Sequence, residues 1–183
     1  MSVRVSRFEM PKRVVKDDAT ANPTFARFVA EPFEIGYART IGNSLRRVML
    51  SSIEGLAITA IRLKGASHEF CSLPGVSEDV TDIILALKQV LIKAHGRAPQ
   101  SLAIHRKGPC VVTAGDFETT SVIQIVNPEL PIATLGEDGE FDLEAEICTG
   151  RGFHPAEWNK TGDQEIGVIP IDSYFLFDAN LIW

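Results

Sequence analysis

The sequence predicts an α+β fold, on three observations. Residues 33–52 and 77–88 carry apolar positions at helical spacing. Around them run short β-forming stretches separated by Gly, Pro and polar residues, as in a sheet of meandering strands. In the stretch 141–148, Phe141, Leu143, Ala145 and Ile147 alternate with Asp142, Glu144 and Glu146, which predicts a strand with one buried and one acidic, solvated face.

In order along the chain, a charged lead-in over residues 12–18 precedes TFARFVAEPF, a strand running into a turn at Pro32. The first helix follows. LAITAIRLK, bounded by Gly55 and Gly65, predicts a half-buried strand. The second helix takes Ser77 as its N-cap, gathers Glu78, Asp79 and Asp82 at the positive end of its dipole, and sets Val80, Ile83, Ile84 and Leu87 on one face toward a core. VLIKAHG, SLAIHRKG, PCVVTAGDF and SVIQIVNP then predict further strands. A polar loop over 149–165 leads to a last apolar segment, 166–183.

With 183 residues, 45% hydrophobic and 23% charged, the chain can bury a proper core in one or two domains. No run approaches the roughly 18 apolar residues of a membrane span. The N-terminus MSVRVSRFEMPKRVV lacks the apolar centre of a signal peptide, so a cytoplasmic protein is expected. A net charge of −6 argues against condensation onto nucleic-acid phosphates by bulk electrostatics. Cys71, Cys110 and Cys148 form no Cys-x-x-Cys pair and are expected to be reduced.

Chemistry needs a constellation, and the sequence offers little. His68, His95, His105 and His154 stand apart with no metal-ligand spacing, and no phosphate-binding glycine loop or nucleophile elbow occurs. Neither cofactor nor metal is expected. His68 and Glu69 are adjacent, but neighbours in a strand point to opposite faces.

The first helix is more informative. Ile41, Leu45, Val48, Met49 and Ser52 make a regular stripe, a pattern that a core helix with solvated arginines would also show. Leu50, however, lies off that stripe, next to Arg46 and Arg47. Arginine beside an uncovered apolar residue suits an interface, because its planar fork binds carboxylates bidentately and sheds water more readily than lysine.

GYARTIGNSLRRVMLSS, followed by GLAITAIRLKGASHEF and GVSEDVTDIILALK, resembles the N-terminal domain of the bacterial RNA polymerase alpha subunit. The likeness extends from Phe8 and Pro11 through VNPELPIATL and GRGFHPA to IGVIPIDSYF. It implies a two-subdomain fold, with a dimerisation and assembly subdomain over residues 1–52 and 160–183 and an inserted α/β subdomain over 53–159. It implies a non-catalytic scaffold: two alpha chains dimerise and recruit the beta and beta-prime subunits, which hold the catalytic centre.

Position by position, the resemblance assigns Arg47 and Leu50, with Arg46 as neighbour, to the beta interface. Lys88 and Ile171 fall to the beta-prime interface, and Ile41, Leu45, Val48 and Met49 to the dimer-facing or core side of the helix. A lysine closing a helix is favoured by the dipole there and is expected to keep its charge free. After Phe175 the ending LFDANLIW departs from the family pattern of a further strand and a long second dimerisation helix. The family's C-terminal DNA-binding domain is accordingly expected to be absent, direct DNA contact is not expected, and a homodimer would lack one of its two helices. Two other readings stand beside the scaffold: a shortened alpha-like regulator or decoy of polymerase assembly, and a small stand-alone enzyme using His68 and Glu69 or the acidic strand.

Overall fold

The computed structural model describes residues 8–22, 25–94, 100–119, 122–160 and 167–175. His95 and the ending from Leu176 to Trp183, with its apolar cluster, lie outside the described residues. Those up to Val48 form one compact unit and those from Met49 onward another.

In the first unit, β1 (Val14–Asn22) and β2 (Phe25–Ala30) form an antiparallel hairpin, with Val15 opposite Val29 and Asp17 opposite Arg27. The charged lead-in is thus a strand. Its Lys-Asp-Asp run masks β-propensity, and the pairing that makes it a strand is tertiary. Helix α1 (Tyr37–Ser51) begins after a turn at Ile35 and Gly36, where the φ of +83° suits glycine. That delays the start by four residues relative to 33–52. Tyr37 packs edge-on against Phe8, with ring centroids 4.9 Å apart.

In the second unit follow β3 (Glu54–Leu63), α2 (Val80–Leu87), β4 (Ile92–Ala94), β5 (Gln100–Lys107), β6 (Cys110–Thr113), β7 (Ile123–Ile125), β8 (Pro131–Leu135), β9 (Glu140–Arg151), β10 (Phe153–His154), β11 (Val168–Pro170) and β12 (Ser173–Tyr174). The main sheet has the order β11-β3-β9-β5, antiparallel throughout, and β4 with β7, β6 with β8 and β10 with β12 make two-stranded ladders.

The alternation expected in β9 is present. Phe141, Leu143, Ala145 and Ile147 are buried, and Glu144 and Glu146 are exposed. β3 differs from its expectation, being buried along nearly its whole length rather than on one face. A bulge at Thr59 shifts the register, and the face away from the core, which carries Ala57 and Ala60, is buried as well. Ile58 faces Ile147, but the next pairs are Ala60 with Glu146 and Ile61 with Ala145, so the extra residue reverses the parity. Ile58 and Ile61, three apart, therefore both sit on the core side of the sheet, as do Leu102 and Ile104 of β5. The segment 171–175 adds cover, since Ile171 N–H donates to the Thr59 carbonyl at 3.0 Å and the Ser173 hydroxyl to that of Ile58 at 2.9 Å.

Helix α2 buries the four residues its spacing marks, Val80, Ile83, Ile84 and Leu87, against this core. Its N-cap is Asp79 rather than Ser77. The residues before it are held outside the helix: Ser77 N–H donates to the Thr134 carbonyl at 3.0 Å, and Asp79, in extended conformation, bridges Ser72. The Glu78 carboxylate does not serve the helix dipole. It accepts Thr134 N–H at 2.6 Å and the Thr134 hydroxyl at 2.8 Å, tying the approach to α2 onto β8.

Candidate assembly surfaces

The first unit is unusual in what it fails to bury. None of its described residues is buried, while Val14 is 65% exposed, Phe28 62%, and Leu45 and Val48 55% each. A two-stranded hairpin is marginal in water. A 15-residue helix is marginal too, and α1 has no acidic residue in its first turn and no basic one in its last to oppose its dipole. No α1 residue is buried, so among the described residues the stripe is not the face of a core helix. Apolar surface of this extent makes the unit a candidate binding face.

Along α1, Leu45 and Val48 are exposed while Ile41 and Met49 are half-buried. Arg46 and Arg47 are exposed and precede the half-buried Leu50 by four and three residues, so the three share one flank of the helix. The helix contains three arginines and no carboxylate. Through Val48 the sequence has nine Lys or Arg against five Asp or Glu, and from Met49 onward nine against nineteen, so a chain of net charge −6 opens with a basic segment.

The second candidate surface lies at the far end of α2. Lys88 is its C-cap, and its ammonium is not free, contrary to the expectation from its place at the helix terminus. It donates to Asp172 Oδ2 at 3.0 Å, with the lysine side chain only 19% exposed. Asp172 Oδ1 accepts Ala156 N–H at 2.8 Å. Asn159 Nδ2 donates to the Ile171 carbonyl at 2.7 Å and to the Ser173 hydroxyl oxygen at 2.9 Å. Ile171 itself is 2% exposed, a core residue. Three segments distant in sequence are thus joined at one carboxylate. Asp172, Asn159 and Ser173 carry no motif; the available signal was a carboxylate interrupting the apolar run VIPID.

The Lys88 ammonium, the Ala156 N–H and the Lys88 charge hold the Asp172 carboxyl below the usual carboxylate range, against the opposing pull of its partial burial. A depressed folded value adds stability above the unfolded carboxyl value of about 4, and that stability is lost as pH falls through the lower folded value. Wild-type chain should therefore lose more thermal stability than Asp172→Asn between neutral pH and about pH 3. Melting curves that fall in parallel would contradict the assignment.

The histidines are locally engaged. SHEF is a turn rather than a strand, with His68 Nδ1 accepting Phe70 N–H at 3.2 Å and Glu69 offering its carbonyl to the Thr81 hydroxyl at 2.8 Å. His105 pairs with Asp142 at 2.7 Å, and His154 packs on Phe175 and Trp158. Among the described residues, no three His, Cys, Asp or Glu side chains are grouped to hold a metal. No described helix is long and apolar enough to cross a membrane.

The family described as the RNA polymerase Rpb3/RpoA insert domain matches residues 60–176. A DNA-directed RNA polymerase subunit alpha of Symbiobacterium thermophilum is 51% identical over 152 residues, 83% of this chain and 48% of the relative. One of Alkaliphilus metalliredigens is 47% identical over 161 residues, 88% of this chain and 50% of the relative. The chain spans about half the length of these relatives.

Proposed function

The chain belongs to the bacterial RNA polymerase alpha-subunit family, and on that premise we propose that it is a non-catalytic scaffold of DNA-directed RNA polymerase, acting in the cytoplasm. The observation that carries this is the first unit, none of whose described apolar residues is fully buried. In this reading Ile41, Leu45, Val48 and Met49 face a second alpha chain, and Arg46, Arg47 and Leu50 face the beta subunit. Lys88 and the backbone around Ile171 face beta-prime. The two subdomains divide near residues 52 and 160, and the basic character of α1 suits carboxylates on its partner.

Co-expression of the tagged chain with beta and beta-prime tests the function. Both large subunits are expected to co-purify with it. Replacing Leu45 and Val48 together by serine should reduce self-association in sedimentation, without loss of the second unit's folding. Recovery of the chain alone, with neither large subunit, would refute the scaffold reading.

A further inference from the structure

We propose that Asp172 is a positioning residue for assembly, fixing the Lys88 side of the partner surface by clamping three chain segments together. The inference rests on the reading that Lys88 and Ile171 lie at the beta-prime interface. Both carboxylate oxygens are committed. Oδ2 holds Lys88 Nζ at 3.0 Å and Oδ1 holds Ala156 N–H at 2.8 Å, joining the end of α2 to the turn at residues 156–158. The segment that carries Asp172 is itself pinned to β3: Ile171 N–H donates to the Thr59 carbonyl at 3.0 Å, and Ser173, 1% exposed, donates its hydroxyl to the Ile58 carbonyl at 2.9 Å. Asn159 closes the arrangement through the Ile171 carbonyl and the Ser173 hydroxyl.

This geometry changes what the two assigned interface positions mean. With Ile171 2% exposed, its side chain cannot be what a partner touches. A partner meets its neighbours, and a substitution at Ile171 acts by displacing Asp172. Lys88, a side chain with four rotatable bonds, is held in one pose before any partner arrives, so the ordering cost of binding has already been met within the fold.

The test uses the full chain and purified beta-prime, at a temperature where each variant is folded by circular dichroism. Lys88→Ala and Asp172→Asn should each weaken capture by about tenfold or more. In the Lys88→Ala background Asp172→Asn should add less than about twofold, since coupled residues are not additive. Asp172→Glu should bind within about threefold of wild type, because it keeps the charge. In the free chain, Asp172→Ala should speed exchange of the Ala156 amide. Capture lost in Lys88→Ala but unchanged in Asp172→Asn, or full additivity of the two, overturns the positioning role alone. Wild-type chain that beta-prime does not capture defeats the assembly reading, and this proposal with it.

Discussion

Phe175→Ala is expected to destabilise the second unit by about 3–5 kcal/mol, the usual cost of emptying a buried phenylalanine site. The ring is 3% exposed and lies over a cross-strand pair of glycines, Gly55 of β3 opposite Gly150 of β9. A Cβ at Gly150 would stand 2.6 Å from the ring, and one at Gly55 only 1.8 Å from the Phe175 carbonyl oxygen. The two glycines leave a slot in the sheet that Phe175 fills, its ring over Gly150 and its backbone against Gly55. His154 meets the ring edge-on at 4.9 Å, and Phe175 N–H donates to the Gly152 carbonyl at 2.9 Å. Thermal or urea unfolding should show a melting temperature lower by roughly 10 °C or more. Gly55→Ala should be comparably damaging, because the clash is with backbone rather than a movable side-chain tip. A loss below about 1 kcal/mol in Phe175→Ala would mean that the slot does not hold this segment.

Arg47→Ala should weaken association with the beta subunit by about 2 kcal/mol, roughly thirtyfold, while leaving the helix in place. Arg47 is exposed on α1, and alanine is the strongest helix former, so circular dichroism should be unchanged. Lysine at the same position should restore only part of the affinity, because it keeps the charge but not the planar fork. Titrated co-purification with beta measures both variants. Normal recruitment by Arg47→Ala would remove this residue from the interface.

Secondary structure was legible where local pattern and tertiary demand agree. The α2 face of Val80, Ile83, Ile84 and Leu87 and the alternation in β9 are both present, because each period matches one buried face. The pattern misled where a distant partner intervened. β1 is a strand through its pairing with β2, the α2 cap moved to Asp79 because Thr134 holds residues 77 and 78, and β3 lost its alternation because residues 171–175 cover its second face.

By itself the sequence determined the family, the α+β class, and which residues of α1 form its stripe and its arginine flank, since these are properties of residue order and local spacing. Only the tertiary structure decided that Leu45 and Val48 of the stripe stay exposed, that Ile171 is core, and that Lys88 is bound to Asp172. Residues 88, 156 and 172 meet because the strands of the second unit carry them to one place. Contacts between positions so far apart in the chain depend on the packed fold and leave no periodic trace in the residues that make them.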